Sequence, residues 1–291
     1  MLYVVATPIG NLQDMSPRAI AVLKTVDLIA AEDTRHSLKL LSHFDIHTPL
    51  TSYHEHNERE KAQRLVARML EQGISVALIT DAGTPAISDP GAILVNVAVQ
   101  AGIEVVAVPG PSAAIAALSV SGFDNPAFSF YAFPPRERKE LCRQLQSLAG
   151  LTQTAVFHES PHRVKDLMEA VLEILGDVPC SLSCDLTKLH EKTIRGSIAQ
   201  VLTAFNANEK AEKGEYVLVL DLSATKVPSA EEMTIANLEA QLLDQLLSGQ
   251  DSHQAMEALI TRGEKKNAVY AASLRLKKLL RDDFEHQICN N

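Results

Sequence analysis

Thr80–Gly91, TDAGTPAISDPG, decides how this chain is read. It follows Ile74 to Ile79, a β-branched and apolar run that predicts a buried strand. Gly83 and Gly91 carry no side chain, and Pro85 and Pro90 fix their own φ, so a ligand can come close to the main chain here. Asp81, Thr84, Ser88 and Asp89 supply oxygens. In an open α/β sheet, ligands sit beyond the carboxyl ends of strands. The same residue types also build ordinary surface turns, and this stretch alone does not separate the two readings. Repetition favours the ligand reading. Leu2 to Ala6 runs into TPIGN, and Ile103 to Val108 runs into PGPSAA, so three strands of one expected sheet end in small, backbone-exposing residues.

The totals fit a globular chain. With 291 residues, 46% hydrophobic and 22% charged, it has room for two domains, or two and a small appendage. No run approaches the roughly 20 apolar residues that span a bilayer. The first residues enter a strand at once, with neither a charged n-region nor a cleavage site, so no signal peptide is expected and the expected address is cytoplasmic. A net charge of -9 argues against coating nucleic acid by bulk electrostatics, although local basic patches can still grip phosphate. Cys142, Cys180, Cys184 and Cys289 are scattered and read as reduced thiols. His54-Glu55-His56 offers metal-ligand types at the wrong helical spacing, and no metal is expected. There is no GxGxxG after the first strand and no Walker A sequence.

Strand and helix signals alternate up to residue 122, which predicts a mainly parallel sheet. Ser16-Pro17 opens a helix through about Thr25, and Leu28 to Ala31 delivers Glu32-Asp33-Thr34-Arg35-His36 at a strand end. Asn57 to Gln72 is an amphipathic helix stopped by Gly73. A second α/β domain is expected over 123–223, with strands Ala127 to Phe133, Thr154 to His158, Val178 to Leu186 and Glu215 to Leu222 in a mixed sheet. Arg136, Arg138, Lys139 and Arg143 gather at the start of one of its helices. Ser223 to Glu232 reads as a linker to a small helical domain, 233–291. There, Arg262 to Arg281 holds seven Lys or Arg against one acid, which is either a solvated face or an RNA-phosphate contact.

TPIGNLQDMSPRA, AAEDTRH, TDAGTPAISDPG and VPGPSAAIAAL, in this order and spacing, resemble the ribosomal RNA methyltransferase branch of the tetrapyrrole methylase superfamily. The resemblance covers essentially the whole chain. It implies two α/β domains of the class III methyltransferase type with S-adenosylmethionine held in the cleft between them. On that carry-over Pro8, Asp81, Gly83, Thr84, Pro85, Ser112, Ala113 and His158 line the cofactor site. It further implies a homodimer that methylates the 2′-hydroxyl of a cytidine in the decoding region of 16S rRNA, on the small ribosomal subunit. Before the Leu-Thr-Lys unit the branch carries Arg-Glu, whereas this chain has Cys184-Asp185.

A ribose hydroxyl must lose a proton when it attacks a methyl group, so a nearby base would help. The candidates are Asp33, Glu159, Glu191, His36 and His190, with Lys188 only if its pKa is strongly lowered. Arg35, Arg163 and Lys188 are the best phosphate or ribose contacts, each just beyond an expected strand. The expected catalytic set is therefore Asp33, Arg35, Glu159 and Lys188. Two rivals stand: a precorrin-type tetrapyrrole methyltransferase, which has no use for the basic tail, and a non-catalytic module that keeps the cofactor as a ligand.

Overall fold

The computed structural model describes residues 1–208, 213–225 and 238–288, with side chains as far as 277. It divides into two compact units, Met1–Thr225 and Lys226–Asn291.

The first unit opens with a five-stranded sheet. Its strands are β1 (Leu2–Val5), β2 (Leu28–Ala31), β3 (Leu50–Ser52), β4 (Val76–Ile79) and β5 (Val105–Val108), all parallel, in the order β3-β2-β4-β1-β5. Four helices connect them: α1 (Pro17–Thr25), α2 (Thr34–His43), α3 (Glu58–Gln72) and α4 (Ala92–Gln100). Both faces are covered, which is why β2 and β4 are buried at every position. Alternate side chains serve opposite faces. Leu28, Ala30, Val76 and Leu78 pack with Leu65 and Met69 of α3 and Leu94 of α4, whereas Ile29, Ala31, Ala77 and Ile79 pack with Leu23 of α1 and Leu41 of α2.

Local signals set the helix ends. Ser16 caps α1, its side chain accepting from the Ala19 amide at 3.1 Å, with Pro17 in the first turn. Gly73, at φ +67, ends α3. The polar cluster 32–36 is not a bare strand end as expected, because Asp33 caps α2 and the helix begins inside it.

A second sheet holds β6 (Ser129–Phe130), β7 (Thr154–Glu159), β8 (Pro179–Cys184), β9 (Lys192–Ser197) and β10 (Tyr216–Asp221) in the order β6-β7-β10-β8-β9. It is mixed: β6 runs parallel to β7, and the remaining pairs are antiparallel. Three helices cover one face: α6 (Arg138–Leu148), α7 (Val164–Leu175) and α8 (Ile198–Asn206). The other face is covered by α5 (Ala113–Ser121), the helix that leaves β5 of the first sheet. Its Ala114, Ala117 and Leu118 pack on Val156, Val217 and Val219. A division at 122/123 therefore falls after the helix that already belongs, by packing, to the second sheet.

In the second unit α9 (Leu238–Leu247), α10 (Ser252–Thr261) and α11 (Lys266–Ile288) enclose a small core of Leu242, Ala255, Leu259, Val269, Ala272 and Leu276. Asp251 and Gln254 form a capping box at the start of α10. The expected linker lies outside the described residues from 226 onward, as do Cys289 and the side chain of Lys278. No described helix is long and apolar enough to cross a membrane.

The seat of α5 has a direct test. Ala117 is fully buried, so Ala117→Leu should overpack the helix against the second sheet and cost about 1–3 kcal/mol in denaturant unfolding. Ile115→Ala, on the exposed side of the same helix, should stay within about 0.5 kcal/mol.

Candidate functional site

The loops beyond β1, β4 and β5 are tied to one another by their own backbones. The Thr7 amide donates to the Gly83 carbonyl at 2.8 Å, and the Gly83 amide returns a bond to the Thr7 carbonyl at 3.1 Å. Thr7 Oγ1 donates to the Thr80 carbonyl at 3.0 Å. Thr84 Oγ1 reaches the Pro111 carbonyl at 3.3 Å and brings the turn after β5 alongside. The loop then folds back on its own strand: a Cβ on Gly91 would lie 2.7 Å from Leu78 Cδ2 and 3.1 Å from the Ala86 amide nitrogen. Ala86 and Ser88 hold left-handed φ values of +66° and +70°. Such conformations cost about 1–3 kcal/mol each and cluster at ligand sites.

Between these loops and the second sheet lies a cavity of about 420 Å³. That is within the range of small-molecule sites. Glu32, Asp81, Gly83, Thr84, Asp89 and the start of α5 at Ser112 to Ala114 form one wall. Phe130, Phe133, His158, Glu159, Glu215 and Tyr216 form the other.

The first wall is acidic. Glu32 Oε2 accepts from Thr80 Oγ1 at 2.5 Å and from the Asp81 amide at 3.3 Å, while Asp81 Oδ1 accepts from the Asp33 amide at 3.1 Å. Burial raises the pKa of Asp81, with the charge of Glu32 adding to it against the hydrogen bond from Asp33. Burial, followed by repulsion from Glu32 and Asp81, pushes the Asp89 carboxyl up to about 6. A wall of crowded carboxylates suits a cationic ligand, whose charge relieves their repulsion.

The second wall is aromatic. His158 makes T-shaped contacts with Phe130 and Phe133 at centroid distances of 4.9 and 5.7 Å. Its Nε2 is buried without a hydrogen-bond partner, and burial lowers its pKa, so the ring is neutral near pH 7. Glu159, with its side chain 1% exposed, accepts from the Ser160 amide through Oε1 and lies 3.3 Å from Arg163 through Oε2.

Of the residues expected to hold cofactor, Asp81, Gly83, Thr84, Ser112, Ala113 and His158 stand on the cavity wall. Pro8 and Pro85 are buried behind it and shape the turns. Of the expected catalytic set, only Glu159 reaches the wall. Asp33 is spent on capping α2, its Oδ1 accepting from the Arg35 amide at 2.8 Å, and Arg35 points to solvent with its side chain 92% exposed. Lys188 sits behind Glu215, its Nζ 3.0 Å from Asp185 and 3.1 Å from Glu215. Burial alone would lower its pKa, but those hydrogen bonds outweigh burial and hold it above the ordinary lysine value, so Lys188 is a fixed cation and not a base. The aromatic wall and Glu215 were not expected as site residues. Phe130 and Phe133 lie in a segment legible only as an alternating aromatic strand, and Glu215 precedes a strand in sequence and reaches the cavity because β10 runs antiparallel to β7.

Residues 1–202 match the family model for tetrapyrrole (corrin/porphyrin) methylases. The chain belongs to the tetrapyrrole methylase family. Within this family it is 42% identical over 271 residues to a ribosomal RNA small subunit methyltransferase I of Halalkalibacterium halodurans, covering 92% of this chain and 93% of the relative. It is 41% identical over 278 residues to the protein of that name from Escherichia coli O157:H7, covering 94% of each. The methylase fold recurs in solved structures. A cobalt precorrin-4 methyltransferase matches with a TM-score of 0.55 and 19% identity, over 76% of this chain and 95% of its own. A diphthine synthase matches with a TM-score of 0.56 and 13% identity, over 76% and 90%. A uroporphyrin-III C-methyltransferase from Thermus thermophilus, complexed with S-adenosylhomocysteine, matches with a TM-score of 0.50 and 17% identity, over 76% and 96%.

The crowded carboxylates make a measurable demand on stability. An unfolded Asp titrates near 3.8, whereas folded Asp89 titrates at about 6, so the folded state keeps a proton that the unfolded chain has lost. Its contribution to folding stability therefore falls as pH rises from about 4 to about 6 and is level above that. Thermal melts of ligand-free protein should show Asp89→Asn gaining on wild type across this window and holding its gain to pH 8. A constant difference at every pH would contradict the burial and charge assigned to this carboxyl.

Proposed function

We propose that this protein transfers a methyl group from S-adenosylmethionine to the 2′-hydroxyl of a cytidine ribose in the decoding region of 16S rRNA. The observation that carries the reading is one cavity, in a tetrapyrrole methylase chain, where strand-end backbone on one side faces an aromatic wall on the other. Relatives above 40% identity over nearly the whole chain are named for ribosomal RNA methylation. The rival reading as a precorrin-type tetrapyrrole methyltransferase rests on fold likeness at 17–19% identity.

The residues on the wall fit the cofactor. Glu32, Asp81 and Asp89 suit its sulfonium and ammonium charges, and the small residues Ala82, Gly83, Ser112 and Ala113 leave room beside the main chain for its body. When bound, S-adenosylmethionine supplies an electrophilic methyl group. The chain's part is alignment, exclusion of water and removal of the hydroxyl proton. Lys188 orients Glu215, and the pair of Glu159 and Arg163 stiffens the aromatic wall. A cytoplasmic homodimer acting on the assembled small subunit completes the reading and rests on family resemblance.

Wild-type protein, labelled cofactor and unmodified small subunits test the chemistry. Label should enter one cytidine and make its phosphodiester resistant to alkali, because a methylated 2′-oxygen cannot attack the neighbouring phosphate. Label in a base, or none in RNA, would defeat the reading. Asp81→Ala and Gly83→Val should each weaken S-adenosylhomocysteine binding at least tenfold by calorimetry while leaving a cooperative melt, and unaltered binding would count against this wall.

The helical unit is the proposed RNA clamp, since Lys265, Lys266 and Lys277 are exposed and Arg275 is instead paired with Glu239. Reversing the charge at Lys265, Lys266 and Lys277 should weaken subunit binding and flatten its dependence on salt. An unchanged salt slope would remove the unit from the interface.

A further inference from the structure

Phe133 is an anomaly on the cavity wall. It is a large aromatic side chain, 60% exposed, on the cavity wall. An isolated exposed apolar residue on a flexible loop would need no explanation. This one is held in place on both sides. Before it, Ala132 sits at φ +51, a left-handed conformation that a non-glycine residue adopts at a cost. The Ala132 carbonyl accepts from the His158 amide at 2.8 Å, which locks that conformation to β7. After it come Pro134 and Pro135, whose rings fix φ, and whose carbonyls accept from one Arg163 nitrogen at 3.2 and 2.9 Å. Arg163 is in turn anchored to the buried Glu159 at 3.3 Å. The rings of Phe133 and His158 meet at 76°, and Phe133 is packed on that side only loosely enough to remain 60% exposed. Arg136 and Lys139, both exposed, follow within six residues.

A rigid aromatic face at a cavity mouth, with cations just beyond, is how proteins hold an unstacked nucleotide: the base stacks and the phosphates pair. A nucleotide that is to enter a cavity must leave its stack to do so. We propose that Phe133 is the stacking platform for the target base once it is turned out of the ribosomal RNA, with Glu159 and Arg163 as the brace that positions it. This deepens the functional reading above and rests on it. The exposure of Phe133 favours the incoming RNA base over the adenine of the cofactor, the other planar group this site would meet.

The test compares wild type, Phe133→Ala and Phe133→Trp in two measurements: steady-state methyl transfer to unmodified small ribosomal subunits, and calorimetric binding of S-adenosylhomocysteine. The ring is exposed, so both variants should melt with wild type. Phe133→Ala should lower kcat/KM for subunits about tenfold or more, Phe133→Trp should stay within about threefold, and both should bind S-adenosylhomocysteine within about twofold of wild type. Parallel loss of S-adenosylhomocysteine affinity in Phe133→Ala would assign the ring to adenine and overturn the proposal, as would an unchanged kcat/KM. Wild-type transfer to subunits is the control for the functional reading: if it is absent, that reading fails and this inference goes with it, whereas an active wild type with an equally active Phe133→Ala overturns this inference alone.

Discussion

The two backbone hydrogen bonds that Thr7 exchanges with Gly83 fix the ligand side of the first sheet. A parallel sheet normally leaves its carboxyl-end loops to diverge, each on its way to a helix. Here the loops after β1 and β4 are joined by an isolated antiparallel bridge, and Thr84 draws the turn after β5 to them. The turns that carry this wall are therefore tied to one another by main-chain bonds and by the hydroxyls of Thr7 and Thr84. Glycine is required where backbones touch: a Cβ on Gly110 would stand 2.9 Å from the Cβ of Ala6.

The same joinery brings charges together that would otherwise repel one another apart. Glu32, at the end of β2, is held by Thr80 and the Asp81 amide, and it stands close enough to Asp81 and Asp89 to raise both. Left-handed Ala86 and Ser88 bend the loop so that Asp89 turns back toward this group. Strain and repulsion are both tolerable in a fold with two well-filled cores, and the repulsion is reduced when a cation enters. Across the cavity, neutral His158 and the two phenylalanines stand with Glu159 and Glu215, each of which has a cation beside it, Arg163 and Lys188 respectively.

Much of this was legible in the sequence, and for physical reasons. Strand-end glycines and prolines announce themselves because no other residues serve there, and β2 and β4 read as buried because parallel strands are apolar throughout. Edge strand β9, KTIRGS, was missed because it is half exposed and shows no apolar alternation. Helix α8 was missed too, although Ser197 and Gln200 spell a capping box. Which sheet a helix covers is not written locally: α5 is apolar nearly all round, and only the assembled fold shows that it lies on the second sheet. Asp33, Arg35 and Lys188 were reasonable candidates from their place after strands, yet position after a strand does not say whether a side chain caps a helix, faces water or enters the cavity.

The account stands on backbone from separate strand ends forming one seat for a sulfonium cofactor. A crystal structure of the protein with S-adenosylhomocysteine tests this most directly. The expected result places the ligand between the two sheets, hydrogen-bonded to main-chain atoms of residues 81–84 and 112–114, with the carboxylates of Asp81 and Asp89 on the side of its amino group and sulfur. A ligand bound outside the cavity, or held there by side chains alone with those backbone groups left untouched, would contradict it.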